Sequence, residues 1–472
     1  MARYLSHCIV ACMVLVFGGC SRTSPQTTAD AAAQSAEIGS DRLGQAGEQQ
    51  PAERSDRVNE ADRRAAQLAR EIEGHRRRGY DAQAVAARRE MLQLFTETYG
   101  QESWQVRSAQ LALGREESLA RFSPAQRAAN EAAENRTRAA NDLWAEGKRD
   151  EALTAIVQAR TMATKIWGAD TYGVANLLDQ EARWRQAVGD VVEAEKLFRQ
   201  ALAIRERAFT PEHPETIATA SALGRVLLAA GRPQEAAPLL RQSVAAAEKV
   251  WGESHAEYAG QLNNLALFYL ETGDYQQAAE HFSRAADVWR QALGDDHPLV
   301  GEACLNLGRA WYAAGDYAQA EAPLREALAS LEKNAGPAHA ATRRARVALG
   351  LARMAQRDYQ EAETILRADL AIVTGQFGDK HPETAESLVR LAILYGNQGR
   401  YAEALPLAER GAAQHRAAAG EKSDLTRNAD SIVALVRGKL SPSGGNRPGG
   451  STGPRPSVPE AVRTNFEQPA RR

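Results

Sequence analysis

Five histidines, His213, His255, His297, His339 and His381, recur at an interval of 42 residues. A regular set of imidazoles raises the question of a metal. Zinc needs three or four ligands within about 2.3 Å of one ion. Residues one repeat apart ride on different helices, whose axes lie roughly 8–10 Å apart, so at best two of the five could meet. The local context points elsewhere. His213-Pro214-Glu215, His297-Pro298 and His381-Pro382-Glu383 place proline where a first helical N–H needs no partner, and two of them place glutamate against a helix amino end. These histidines are read as loop residues ahead of a helix, and no metal is expected. No Ser, His and Asp combination stands out as nucleophile, base and orienter. The glycines of residues 441–472 follow no strand and precede no Gly-Lys-Ser/Thr, so they are not a phosphate loop. Neither cofactor nor catalysis is expected.

The elements that carry these residues are legible from Leu262 to Trp289. Leu262, Leu265, Ala266 and Tyr269 form one helical stripe; Ala278, Phe282, Ala285 and Trp289 form a second. Gly273-Asp274 separates them, glycine for a positive φ and aspartate to cap a new start. Two helices of about 15 residues cannot bury such stripes alone, so copies must stack. The copies are visible. Gly147, Gly189, Gly231, Gly273, Gly315, Arg357 and Gly399 share one column, and alanine follows each five positions later, from Ala152 to Ala404. Upstream, Leu223, Leu265, Leu307, Leu349 and Leu391 form a core column. Beside it, Gly224, Ala266, Gly308, Gly350 and Ala392 are small enough for close helix approach. Trp167-Gly168, Trp251-Gly252, Leu293-Gly294, Phe377-Gly378 and Ala419-Gly420 end the second helices. Tryptophans and tyrosines at helical spacing are assigned mostly to the core.

The Leu-(Gly/Ala) pair, the Gly-Asp-Tyr turn and the alanine column resemble the tetratricopeptide repeat. The longer unit, LNNLALFYLETGDYQQAAEHFSRAADVWRQALGDDHP, looks like the kinesin light-chain subtype. The resemblance implies an all-α fold, a right-handed α-solenoid of antiparallel helix pairs. It also implies a concave groove, lined by the first helix of each pair, that holds a protein or peptide partner. Carried over by alignment, one groove column is Ala222, Asn264, Asn306, Ala348 and Arg390; a second is Arg225, Leu267, Arg309, Leu351 and Ile393. Asn264 and Asn306 stand where such repeats place an asparagine that grips a ligand backbone, donating to and accepting from peptide bonds. Arg225, Arg309, Arg344 and Arg390 are candidates to fork onto carboxylates, and Tyr312 to give an aromatic floor. The same residues would also suit a merely solvated polar face. The units at Arg357 and Glu181 depart from the pattern and are expected to be less regular.

Toward the amino end, only 26 residues separate the expected turn at Arg121-Phe122-Ser123-Pro124 from Gly147, so a helix is lost or merged and one longer helix is expected over 124–146. The domain reading is irregular helical repeats over 56–146, led by a polar, Arg-rich helix, and regular repeats over 147–422. A capping helix over 423–440, with a stripe of Leu425, Ile432, Leu435, Val436 and Leu440, and a Pro/Gly/Ser-rich tail over 441–472 complete it.

Formal net charge −2 over 472 residues gives no general pull toward nucleic acid or an acidic membrane. Three of the four cysteines lie in the first twenty residues; Cys304 alone is in the body and is read as a small core residue. Residues 1–20 read as an export signal, with an apolar stretch from Ile9 to Phe17 too short to span a bilayer. Phe17-Gly18-Gly19-Cys20 resembles the lipobox of bacterial lipoproteins, which implies lipidation of Cys20 and, with Ser21 following, outer-membrane sorting if the cell has two membranes. The alternative is an ordinary secretory leader. Residues 21–55 read as a flexible tether. The expected function is a membrane-tethered, non-catalytic scaffold that binds a protein or peptide. The alternative is a structural spacer or self-associating component of a cell-envelope complex.

Overall fold

A computed structural model describes residues 51–440, with side-chain surroundings from residue 58 onward. The leader with Cys20, most of the expected tether and the tail lie outside the described residues. The described chain divides into two compact units, through Asn264 and from Leu265. Unit one contains α1 (Pro51–Arg77), α2 (Asp81–Tyr99), α3 (Trp104–Ala120), α4 (Pro124–Ala145), α5 (Arg149–Trp167), α6 (Tyr172–Ala187), α7 (Val191–Ala208), α8 (Pro214–Ala229) and α9 (Pro233–Trp251). The division falls within α10 (Ala256–Thr272). Unit two contains α11 (Tyr275–Leu293), α12 (Pro298–Ala314), α13 (Tyr317–Ala335), α14 (Ala340–Ala355), α15 (Tyr359–Phe377), α16 (Pro382–Asn397), α17 (Tyr401–Ala419) and α18 (Asp424–Leu440). No strand occurs among the described residues. The fold is all-α, a solenoid of helix pairs: from α1 to α9 in unit one each helix packs on the next with one exception, and from α11 to α18 in unit two each packs on the next.

The turn inside each pair works as its residues dictate. Gly273 takes φ 85°, and Asp274 Oδ1 accepts from the Gln277 N–H at 3.3 Å. Asp190, Asp316 and Asp358 cap α7, α13 and α15 in the same way. Arg357 adopts φ 68°, the one non-glycine among the described residues with a positive φ. The expected irregularity is therefore absent: α14 and α15 keep 16 and 19 residues. The register is retained at a local cost of roughly 1–2 kcal/mol for a left-handed L-residue. The Glu181 unit is likewise regular at that position. Its carboxylate is buried but meets Arg160 at 2.8 Å and Arg185 at 3.8 Å. The departure in that unit falls instead at Thr210, which replaces the terminal glycine. There α7 stops at Ala208, and Phe209 is extended.

Pairs are held close by the small column. A Cβ added to Gly308 would lie 2.4 Å from Leu324 Cγ; at Gly224 it would lie 2.8 Å from Leu240 Cγ, and at Gly350 2.9 Å from Leu366 Cδ2. Where the small residue is Ala266 or Ala392, the residue sixteen later is Phe282 or Ala408 rather than leucine. In each case both residues belong to one buried cluster. Cys304 on α12 is buried, and burial pushes its thiol up to about 12.

The ends differ from the repeats. Helix α1 begins at Pro51, inside the stretch expected to be tether, and buries Ala61, Ala65, Leu68, Ala69 and Ile72. The exception to sequential packing lies between α3 and α4. Each stands where the first helix of a pair belongs, and no second helix lies between them. Ser123 and Gln126 form a capping box at the start of α4, with Pro124 as first helical residue. Helix α18 covers the last pair with Thr426, Ala429, Val433 and Val436. This corrects the stripe read from the sequence: Leu435 and Leu440 are exposed, because the small and β-branched side chains fit against Ala408 and Ala412.

The replacement Gly308→Ala should destabilise the full chain by about 1–3 kcal/mol, the usual cost of overpacking. Pairing it with Leu324→Ala should cost less than the two changes summed. Denaturant titration reads both, and an unchanged midpoint for Gly308→Ala would contradict the close-approach account.

Candidate partner-binding face

First helices of neighbouring pairs touch each other: α6 with α8 in unit one, α12 with α14 and α16 with α18 in unit two. Second helices are tied by exposed ion pairs that repeat with the array. In unit one Arg199 meets Glu235 at 3.0 Å and Arg232 meets Glu195 at 2.8 Å. In unit two the pairs are Arg290–Glu326 at 2.8 Å, Arg325–Glu361 at 2.6 Å and Arg400–Glu363 at 2.8 Å. Each is exposed, screened and individually weak, but together they match these guanidiniums along the second-helix side.

The first-helix face is not matched in this way. Arg225 on α8 is solvent-accessible yet ringed by protein, and has no carboxylate partner among the described residues. Burial, and then the neighbouring Arg183 guanidinium, lower its basicity. Arg183 itself meets Asp179 at 2.7 Å. Asn264, half-buried on α10, donates from Nδ2 to Ser221 Oγ of α8 at 2.9 Å. Its amide thus ties two first helices together.

In unit two, Asn306 Oδ1 accepts from Arg309 Nη1 at 3.2 Å, so its free valence is the amide N–H pair. Arg309 is half-buried, and burial followed by Arg344 lowers its basicity. Arg344 on α14 is exposed and has no hydrogen bond or ion pair among the described residues. Arg390 on α16 pairs with Glu386, while its Nη1 is buried without a partner. Tyr312 does not provide the expected aromatic floor. It is 7% exposed and packs on Tyr317 at 5.2 Å between ring centroids, so its ring serves the core. The structure thus brings Arg225 beside Arg183, Asn306 beside Arg309, and Arg309 beside Arg344.

Buried charge networks were missed in the sequence. Arg205 of α7 is buried with Asp179 at 3.1 Å and Glu215 at 3.1 Å; Asn176 accepts from it at 2.8 Å. In unit two, Arg343 lies 3.6 Å from the fully buried Asp369, which also accepts from Ser387 Oγ at 2.7 Å. The signal was present: one period away, Arg205 aligns with Ala163 and Ala247, and Asp369 with Ala327. A charge in an otherwise apolar column predicts a buried partner.

Comparison with known proteins agrees with this architecture. Residues 174–249, 258–333 and 341–417 match one family model described as the tetratricopeptide repeat, and residues 221–287 match a second. The chain belongs to the tetratricopeptide repeat proteins. Among solved structures it is similar to the nearly identical TPR-like repeats of Podosopora anserina named after kinesin light chain, with 29% identity, coverage of 43% of this chain and 97% of that one, and a TM-score of 0.39. It is similar to BtubC (BKLC) of P. vanneervenii, with 17% identity, coverage of 61% and 96%, and a TM-score of 0.36. It is also similar to a signal transduction ATPase with numerous domains and a tetratricopeptide repeat sensor from Pyrococcus horikoshii, with 11% identity, coverage of 81% and 55%, and a TM-score of 0.50. No curated protein matches the chain.

The periodic histidines are helix caps. His213, His297, His339 and His381 each accept, through Nδ1, the backbone N–H two residues on, at 3.2, 3.2, 3.3 and 3.2 Å; His255 does the same for Glu257 at 3.0 Å. An accepting Nδ1 puts the proton on Nε2. In His213 that Nε2 lies 2.8 Å from Ser108 Oγ of α3, and the ring stacks on Phe209. Burial, and secondarily Arg205, lower its pKa to about 3. The unfolded chain therefore takes up a proton that the fold refuses as pH drops below the ordinary histidine range, so this contribution to stability is present above that range and lost below it. Between about pH 7 and about pH 4.5, the wild type should lose more stability than His213→Asn, which keeps a capping acceptor without titrating. Urea titrations at the two pH values test this; identical losses would refute it.

Proposed function

We propose that this chain is a membrane-tethered, non-catalytic scaffold whose first-helix face binds an extended, carboxylate-bearing protein segment. The observation that carries the reading is that Arg225 and Arg344 on first helices are exposed without a carboxylate, whereas Arg199 and Arg290 on second helices pair with carboxylates of the next unit. A guanidinium forks onto a carboxylate through two parallel hydrogen bonds. The unused amide groups of Asn264 and Asn306 suit the backbone of such a segment whatever its side chains. Tethering rests on the leader and on lipidation of Cys20, which in a cell with two membranes puts the body on the periplasmic face of the outer one. No helix among the described residues is long and apolar enough to cross a membrane.

Fluorescence anisotropy with a Glu-rich extended peptide and its Gln counterpart is the test. The acidic peptide should bind at least tenfold more tightly, a difference of about 1.4 kcal/mol. Arg225→Glu combined with Arg344→Glu should remove the preference, whereas Arg199→Glu on the second-helix side should not. Cys20→Ala should move the chain out of the membrane fraction. No preference, or one indifferent to Arg225 and Arg344, would refute the binding reading; unchanged membrane association would refute the tether.

One observation favours the second reading, self-association: Leu435 and Leu440 stand exposed on the closing helix α18. Sedimentation of the chain across concentrations decides it. A dimer abolished by Leu435→Glu supports this reading, and a strict monomer excludes it.

A further inference from the structure

The break in the repeat at α3 and α4 leaves space. Both stand in the place of first helices, and no second helix lies between them. A cavity of about 510 Å³ opens there within unit one, bordered by α2 to α6 and the end of α7. Protein interiors hold few voids larger than a water molecule, whereas ligand pockets occupy roughly 300–1,000 Å³. Its walls are largely apolar and aromatic: Met91, Phe95, Trp104, Trp167, Leu177 and Phe209. Side chains that face a void lose contacts on the open side, and an apolar guest of matching size restores them.

The charges on the lining cancel: Arg88 and Arg115 stand against Glu134 and Asp170. Each of the four is also engaged within the protein. Arg115 meets Glu134 at 3.0 Å, Arg88 lies 3.5 Å from Glu116, and Asp170 pairs with Arg207 at 2.6 Å. Neutral polar groups are largely spent as well. Asn130 donates to Glu134 at 3.1 Å and accepts from Trp167 Nε1 at 2.9 Å. The Ser118 and Thr137 hydroxyls donate to carbonyls of their own helices at 2.8 and 3.0 Å. Gln105 and Gln110, which have no hydrogen bond among the described residues, are uncharged amides. An ion of either sign entering this cavity would give up its hydration and find no counter-charge left over.

We propose that this seam cavity binds an uncharged, mainly apolar small molecule. Its walls supply the apolar contact, its balanced lining rejects anions and cations alike, and the two glutamines leave room for a neutral polar group on the guest. Neither Arg225 nor Arg344 takes part, so the site stands or falls independently of the protein-binding reading.

The probe is N-phenylnaphthylamine, a neutral dye whose fluorescence rises in apolar surroundings, titrated into delipidated full-length chain. Saturable binding at one site per chain is expected. Anilinonaphthalene sulfonate, which has the same rings and a negative charge, should bind at least about tenfold more weakly. Dodecanol should displace the dye, and dodecanoate and dodecylammonium should each do so at least about tenfold less well. The dye thus reports an aromatic guest and dodecanol an aliphatic one. Ala112→Phe, which fills the cavity from α3, should weaken the dye by at least about tenfold. Leu435→Glu on α18 should leave its affinity unchanged, and a loss there would place the dye on an exposed surface and overturn the proposal. No saturable binding, charged probes that bind as tightly as the neutral ones, or an Ala112→Phe variant that binds like wild type would each overturn it too. The comparison of neutral with charged probes needs no variant, so it stands even if Ala112→Phe fails to fold.

Discussion

The distance between the two helices of a pair governs the rest of this structure. Pairs close because one wall carries glycine or alanine where the other sends in a leucine, a phenylalanine or, at Ala408, another small residue. Gly308 under Leu324 leaves no room for a methyl group. Close pairs have narrow stripes to share with their neighbours, so stacking buries them and a repeat of fixed length can continue. The turn glycine, the aspartate cap and the histidine cap set where each helix begins. They make the pair reproducible but do not provide the burial that holds it.

That hierarchy explains what could be read from the sequence. The columns of alanine, leucine and small residues are spaced by helix geometry alone, so pairs, turns and the longer α4 were legible. Residues whose role depends on a partner in another helix were not. Tyr312 shares a helix face with groove positions, and only its packing on Tyr317 shows that the ring turns inward. Leu435 and Leu440 look like core residues on hydropathy, yet α18 presents smaller side chains to Ala408 and Ala412. Arg357 misled in the opposite direction. A missing glycine suggested a broken unit, but the turn between two intact helices keeps its left-handed residue, here an arginine.

Charge follows the same division. Along the second helices Arg199, Arg290 and Arg325 each meet a carboxylate about one repeat away, a pattern the period generates. Within pairs, Arg205 with Asp179 and Arg343 with Asp369 bury ions between the two helices. Breaking such a pair leaves an uncompensated buried ion, so these sites constrain sequence more tightly than the exposed ladders do. The first-helix face is the surface on which charge is left over.

The stitch between α3 and the loop after α7 changes how the amino-terminal region can come apart. In a plain repeat array each pair touches only its neighbours, and fraying proceeds pair by pair from an end. Here Ser108 reaches His213, 105 residues away, and Arg107 donates to the Ala208 carbonyl at 3.1 Å. Closing that loop sets a larger entropic threshold for assembly than any neighbour contact does, and it makes the intervening helices gain or lose order as a block. Proteolysis that starts at the amino end therefore meets a clasp rather than a zipper: releasing α1 and α2 does not loosen α4 to α7 until α3 has also let go.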